Sequence, residues 1–439
     1  APAAAPGAGA EGGAEPSERI RELLRRRRRR GDEAQSAAPE DFIALAPAGG
    51  KAGCPEQPPW FVDRAHLKNP ILRLHEELLD FSEHMRQTRE ELQARRLWVR
   101  TISGACRGLW PRCQVRVFGS SATGLCLPGG DVDVVALGVS CSPGVAMKLL
   151  ANRLLGAGDV SELELIDSAK VPVLKVRSQS SGLRADVVFN QPNGLETSAF
   201  LRARLEEFPQ MRPLILFLKL FLLQRGLHET YTGGMGSFLL CNAVLHFLQR
   251  HPSRRGAGRY AATGLGHLLF DFFRYYGEQF DYFTQGISVR NGGCTFNKAA
   301  RGWLGGPRRG GGPQLCLEAP LGQPVDLGSP CFRMGILRGL FVHGLRCLCH
   351  LFVAPALSGT SMLCPLFLDP RNPVIACRHR LMAEQPVALP GVPRVHCEVE
   401  EAGEAAGGPE GAELDVLDDL EPAAPPAKRA RRGAAGAEG

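Results

Sequence analysis

The sequence predicts an α+β protein in which a strand-rich segment precedes a mainly helical one. Candidate strands, with alternating or continuous apolar residues, concentrate between about residues 114 and 195, whereas residues 196–353 place apolar side chains at helical spacing. The 439 residues are 44% hydrophobic and 22% charged, which excludes a fully disordered chain, a collagen and a coiled coil. The most apolar stretch, residues 214–223, is too short to cross a bilayer, so we predict no membrane span.

Both ends of the chain are predicted to lack a folded core. Residues 1–58 are rich in Ala, Gly and Pro and carry a basic block at 25–30, and residues 354–439 form a low-complexity tail that we expect to be largely disordered. Residues 398–421 contain ten acidic residues and no Lys or Arg, so the net charge of +7 would be +17 without them. A body this basic favours association with a polyanion.

The elements between these ends follow from periodicity. Residues 59–113 are predicted to form N-terminal helices that pack on the central domain, with one or two amphipathic helices over 71–99. Residues 114–195 are predicted to form a catalytic palm, and 196–353 a helical central domain. The expected strands of the palm are 115–118, 131–137, 171–176 and 183–189, with a helix over 147–155. Pro172 suits the start of its strand, because proline cannot donate to the ladder.

The strongest chemical signal lies where the first of these strands ends. Gly119 and Ser120 follow the strand, and a Gly-Ser turn lets backbone amides and a hydroxyl approach phosphate oxygens. The next strand carries Asp131 and Asp133, and side chains two residues apart in a strand share one face. Two neighbouring carboxylates repel each other unless a cation lies between them, and Mg²⁺ prefers carboxylates together with phosphate oxygens.

A third carboxylate would complete a site for two metal ions. Asp186 is the one acidic residue of an otherwise apolar strand, where an isolated ionised aspartate is costly unless something pairs with it. Three carboxylates could bind two Mg²⁺ or Mn²⁺ ions, of which one activates an attacking hydroxyl and the other steadies a triphosphate and its leaving group. The pattern therefore predicts nucleotidyl transfer, with Asp131, Asp133 and Asp186 as the catalytic and metal-binding residues.

These motifs, together with those at residues 189–194, 218–227 and 231–238, resemble the noncanonical poly(A) RNA polymerases of the DNA polymerase beta-like superfamily, in particular the nuclear group that works with the TRAMP complex. The resemblance implies that Asp186 aids deprotonation of the RNA 3′-hydroxyl. It also implies nucleotide contacts from the residues that match the family's motifs: Gly119, Ser120, Asn193, Gly194, Lys219, Ser237 and Phe238. Lys219 would face the triphosphate, and Phe238 replaces a tyrosine that stacks on the base in many relatives.

The resemblance leaves the base preference open. Residues 315–328 resemble the nucleotide-recognition loop of the family, but Ala319 replaces its usual acidic residue. We therefore expect adenylyl transfer from ATP to RNA 3′ ends and keep two alternatives, a terminal uridylyltransferase and a catalytically silent RNA-binding scaffold. The resemblance also implies an RNA-binding partner subunit, the exosome machinery as a further partner, and a nuclear location, nucleolar or nucleoplasmic, with some protein in the cytoplasm.

Overall fold

The computed structural model describes residues 57–169, 171–254, 264–303, 313–353 and 359–367. The predicted disorder of residues 1–56 and 368–439, and the basic block at 25–30, lie outside the described residues. In chain order, the helices of the described residues are α1 (Pro70–His84), α2 (Arg89–Leu109), α3 (Gly119–Thr123), α4 (Pro143–Ala157), α5 (Asn193–Glu207), α6 (Met211–Leu223), α7 (Ser237–Arg250), α8 (Leu265–Arg274) and α9 (Met334–Val353). The strands are β1 (Gln114–Phe118), β2 (Val132–Leu137), β3 (Val160–Ile166), β4 (Val173–Ser178), β5 (Arg184–Phe189), β6 (Gln285–Ser288), β7 (Cys294–Asn297) and β8 (Cys316–Glu318).

The palm is a five-stranded mixed sheet with the order β1-β2-β5-β4-β3. Strands β2 and β5 are parallel, whereas β1–β2, β4–β5 and β3–β4 are antiparallel. The α+β class and the four predicted strands are confirmed, and β4 begins directly after Pro172. Strand β3 was not predicted, because Ser161, Glu162 and Glu164 interrupt its apolar residues. The parallel pair at the centre of the sheet places the ends of β2 and β5 side by side.

Helices α2 and α4 pack on this sheet and share its core. Trp98 and Ile102 of α2 and Leu150 of α4 are buried in one cluster with Val134 and Val187 of the sheet. The prediction that all helices of residues 59–113 pack on the central domain is therefore wrong for α2. Its apolar residues face the palm, whereas α1 packs on α6 and α8.

The helical domain has its own core, centred on α6. Every residue of α6 is buried except Arg212, Lys219 and Leu223, as the continuous apolar run predicts. A small sheet with the order β7-β6-β8 joins this domain, although the sequence predicted mainly helices here. Its strands have only three or four residues each, too few to show a periodicity.

One helix of the described residues, α9, is long and apolar enough to cross a membrane, with a mean hydropathy of 1.5. The prediction of no membrane span rested on residues 214–223 and left this helix out. Leu337, Phe341 and Leu348 on one side of α9 are fully buried, and the helix packs on α8. The core helix of a folded domain passes the same test, so length and composition are weak evidence for a membrane span here.

The predicted tail contains a segment that belongs to the core. Residues 359–367 include Met362, Leu363 and Leu366, which are buried in the helical domain. Glu77 of α1 accepts hydrogen bonds from the Met362 backbone amide at 2.5 Å and from the Ser361 hydroxyl. The prediction that residue 354 begins a largely disordered tail is therefore wrong for this segment, which tertiary contacts fix without any regular periodicity.

Candidate active site

The turn after β1 is built around a glycine that no other residue could replace without strain. Gly119 has a φ of +66°, and a Cβ there would lie 2.2 Å from Oδ2 of Asp133. Its backbone amide donates to the Ser198 hydroxyl at 2.8 Å, and that hydroxyl donates to the Gly194 carbonyl at 2.7 Å. The backbone amide of Ser120 faces the Asp133 carboxylate and lowers its pKa. The turn, the start of α5 and β2 are thus held in one arrangement.

The structure places Asp133 and Asp186 on neighbouring strands, opposite one another in the parallel register of β2 and β5. Asp131 precedes the first residue of β2. Burial, together with the negative charges of Asp186 and Asp131 and against the opposing effect of Lys219, raises the pKa of Asp133 to about 7. The predicted carboxylates therefore interact with each other, as a cation-binding group should.

A lysine that the sequence analysis missed neutralises part of this charge. Lys175 lies opposite Asp186 in the antiparallel register of β4 and β5, and its ammonium pairs with the Asp186 carboxylate. Burial raises the pKa of Asp186, pairing with Lys175 lowers it, and Asp131 and Glu229 raise it again. The sequence signal for this residue was a lysine among the apolar residues of β4. Its partner could not be predicted, because the partner depends on the register between β4 and β5.

No group of three or more His, Cys, Asp and Glu side chains in the described part of the chain is arranged to hold a metal ion as it stands. The chemistry of the donor set nevertheless fits a divalent cation, because neighbouring carboxylates raise the pKa of Asp133 and of Asp186 although Lys219 and Lys175 oppose these shifts. When a metal is bound, Asp131, Asp133 and Asp186 are the residues that would hold it. The lysine would then share Asp186 with the ion or turn away.

Three of the other predicted contacts lie in the helical domain. Lys219 of α6 donates to the Leu125 carbonyl at 2.9 Å, just beyond the turn, and its charge acts on Asp133. Ser237 is the exposed first residue of α7, where free backbone amides favour a phosphate. Phe238 is half-buried against the helical core.

The start of α5 carries the two remaining predicted contacts. Asn193 is exposed at the first position of the helix. Gly194 has no space for a side chain, because a Cβ would lie 2.4 Å from the Phe118 ring. The structure thus gives Gly194 a packing role, and its predicted contact with a nucleotide stays a prediction.

The predicted recognition loop is held from within the helical domain. Glu318 of β8 is buried and pairs with Arg301 at 2.8 Å and with Arg290 at 3.9 Å. Arg290 also donates to the carbonyls of Ala319 and Gly322, both at 2.8 Å. The carboxylate of Glu318 is therefore engaged in holding the loop.

A buried arginine that the sequence analysis also missed supports the carboxylate edge. Arg95 of α2 is 2% exposed and donates to the Gly130 carbonyl at 2.7 Å and to the Ser121 hydroxyl at 3.2 Å. It joins α2 to α3 and to the loop before Asp131. The sequence did not indicate that Arg95 is buried, because it lies in a basic stretch with Arg89 and Arg96.

Comparison with known proteins matches two parts of the chain to family models. Residues 74–205 match the central palm domain of mitochondrial-like poly(A) RNA polymerase, and residues 264–322 match the Cid1 family of poly A polymerases. The first match covers the palm with its three carboxylates, and the second covers the small sheet with its loop.

Individual proteins similar to this chain are also named as poly(A) RNA polymerases. Poly(A) RNA polymerase CID14 of Cryptococcus neoformans is 34% identical over 62% of this chain and 36% of its own length. The inactive noncanonical poly(A) RNA polymerase protein Trf4-2 of Drosophila melanogaster is 34% identical over 61% of this chain and 66% of its own length. The polymerase core of TRAMP, an RNA surveillance complex, is a solved structure that superposes with a TM-score of 0.63 at 28% identity, covering 73% of this chain and 99% of that one. The chain thus spans about a third of the first relative.

Proposed function

Because the chain belongs to the noncanonical poly(A) RNA polymerases of the DNA polymerase beta-like superfamily, we propose that it is a template-independent nucleotidyltransferase that adds AMP from ATP to RNA 3′ ends. The observation that carries this proposal is the pairing of Asp133 with Asp186 across two parallel strands, beside the turn at Gly119. Three carboxylates beside a phosphate-binding turn and a helix N-terminus are suited to a nucleoside triphosphate and a divalent cation.

The residues of the chain divide the work in the proposed reaction. Ser120, Lys219 and the N-terminus of α7 hold the triphosphate, and the three aspartates would hold Mg²⁺ or Mn²⁺, which supplies charge stabilisation when it is bound. Asp186 receives the proton of the RNA 3′-hydroxyl as that oxygen attacks the α-phosphate, and pyrophosphate leaves. Positioning of the two substrates supplies much of the rate enhancement.

The proposed setting follows from the relatives. The similarity to the polymerase core of TRAMP, an RNA surveillance complex, supports RNA processing and surveillance as the setting. An RNA-binding partner subunit and the exosome, which the sequence resemblance implies, are the associates that we propose. A nuclear location, with some cytoplasmic protein, fits the same proposal.

The test is extension of a labelled single-stranded RNA primer with Mg²⁺ or Mn²⁺ and each NTP in turn. We expect ATP to be the preferred substrate. Asp133→Asn should abolish extension while the melting temperature stays equal or rises, because the amide has the shape of the carboxylate without its buried charge. The control, Asp167→Asn, changes an exposed aspartate outside the site and should extend RNA like the wild type.

The two alternatives give different results in the same assay. Preference for UTP over ATP would identify a terminal uridylyltransferase. Absence of extension by folded wild-type protein would favour a catalytically silent RNA-binding scaffold, an alternative that the inactive Drosophila relative makes worth testing. The aspartates that form the site are all present in this chain, which favours the active enzyme.

A further inference from the structure

Two aromatic side chains stand in solvent close to the candidate site. Tyr231 is 91% exposed and Phe332 is 71% exposed, although both are surrounded by ordered backbone. Large aromatic rings are usually at least half-buried, because exposing them forgoes the free energy of transfer from water. Rings that remain this exposed are candidates for contact with a ligand.

The loops that carry the rings are braced against each other. Gly234 donates to the Glu229 carbonyl at 2.8 Å, and Gly233 donates to the Thr230 carbonyl at 3.0 Å, which closes the loop around Tyr231. Arg333 donates to the Gly233 carbonyl at 3.0 Å, and a Cβ on Gly233 would lie 2.4 Å from the Phe332 ring. The backbone that carries the two rings is therefore held in place around Gly233, so little backbone entropy is lost when the rings bind a ligand.

The same loop lies beside the carboxylate edge of the palm. The loop begins after α6, whose Lys219 donates to the Leu125 carbonyl at 2.9 Å just beyond the turn at Gly119. It ends at Ser237, the first residue of α7. The loop thus connects two of the predicted phosphate contacts, and the charge of Glu229, two residues before Tyr231, acts on Lys175 and Asp186.

We propose that Tyr231 and Phe332 form a stacking platform for the last bases of the single-stranded RNA that enters the site. This inference rests on the proposed function and names the surface that receives its polynucleotide substrate. Aromatic faces bind unpaired bases by stacking with little regard to sequence. Two separate rings suit bases better than a protein partner, which needs a contiguous apolar surface.

The experiment measures RNA binding apart from catalysis. In the Asp133→Asn background, the Kd for a fluorescein-labelled 15-nucleotide RNA is measured by anisotropy at fixed salt. Tyr231→Ala and Phe332→Ala should each raise the Kd about 5- to 100-fold, the range expected for loss of one stacked base. Tyr231→Phe should stay within about twofold of the parent because it keeps the ring. The KM for ATP, measured in the active background, should not change in either alanine variant.

Two controls make the result specific. Phe283→Ala removes another exposed ring, 55% accessible on the turn before β6, and should leave the Kd unchanged. An RNA with abasic sites at its last two positions should bind the parent as weakly as intact RNA binds the Tyr231→Ala/Phe332→Ala double variant, and the double variant should not distinguish the two RNAs. Equal binding of intact RNA by parent and alanine variants would overturn the platform, as would equal weakening by Phe283→Ala.

Failure of this inference and failure of the proposed function give different results. A wild-type protein that extends RNA while both alanine variants bind it normally would refute the platform and leave the transferase intact. A wild-type protein that never extends RNA but loses binding in both alanine variants would refute the transferase and support the platform.

Discussion

At the scale of single residues, the pairing of Lys175 with Asp186 decides how strongly the site attracts a cation. The ammonium supplies one positive charge to a group of three carboxylates, and it occupies the aspartate that a metal would share. A divalent ion must therefore compete with a charge that the protein already provides. The same interaction offsets part of the negative charge around Asp186.

We expect Lys175→Met to lower the Mg²⁺ concentration that gives half-maximal RNA extension, by about tenfold. Removing a positive charge within contact distance of a ligand strengthens the attraction for a cation, although solvent reduces the effect at a partly exposed site. A Mg²⁺ titration of the initial rate measures the midpoint. Arg177→Met, on the same strand but paired with Glu162 on the surface, is the matched control and should leave the midpoint unchanged. A midpoint that stays or rises in Lys175→Met would contradict this account.

Some residues of the site could be predicted from the sequence and others could not. Asp133 and Asp186 could be predicted because a charged side chain in an apolar strand needs a partner, which is a property of each strand alone. Lys175 and Ser198 could not be assigned, since their contacts depend on which strands become neighbours and on how α5 meets the turn. The burial of Arg95 could not be predicted, because a basic run on a helix normally faces solvent.

At the scale of elements, a buried carboxylate fixes the segment 359–367 to α1. Glu77 is 5% exposed and accepts hydrogen bonds from the Trp60 indole at 3.2 Å, the Met362 amide at 2.5 Å and the Ser361 hydroxyl. From the other side, Arg225 donates to the Leu366 carbonyl at 2.9 Å. Residues distant in sequence are thereby joined in the core of the helical domain.

Glu77→Ala should lower the free energy of unfolding by about 3 kcal/mol, because it leaves buried donors without an acceptor and opens a cavity. Urea denaturation followed by circular dichroism measures the loss. The control is Glu76→Ala, which removes the neighbouring, partly exposed carboxylate and should change stability by less than about 0.5 kcal/mol. Equal stability of the two variants would show that the hydrogen bonds of Glu77 do not hold the segment.

Helices and strands could be predicted from the sequence where their own apolar residues recur at helical or strand spacing. Helices α1, α2 and α6 show apolar spacing over many residues, and four strands of the palm show apolar runs. The strands β6, β7 and β8 are too short for a period, and the segment 359–367 is positioned by tertiary contacts with α1, α6 and α9. Local patterns cannot reveal structure that tertiary partners impose.

At the scale of the whole molecule, charge is distributed unevenly along the chain. The acidic segment 398–421 lowers the net charge from +17 to +7, so the rest of the chain is far more basic than the whole. An RNA substrate is attracted by the basic part and repelled by the acidic one, and both effects act at distances of about 10 Å or less at moderate salt. The acidic segment should therefore compete with RNA for the basic surface.

Deletion of residues 398–421 should strengthen RNA binding several-fold at about 50 mM salt, and the difference from the wild type should shrink towards zero as salt rises. Fluorescence anisotropy over a salt series gives both Kd values at each point. A variant in which the same 24 residues are scrambled keeps their charge and length, and should bind RNA like the wild type. If scrambling strengthened binding as much as deletion does, a specific contact of the segment would be responsible. An unchanged Kd on deletion at low salt would show that its charge does not act on RNA at all.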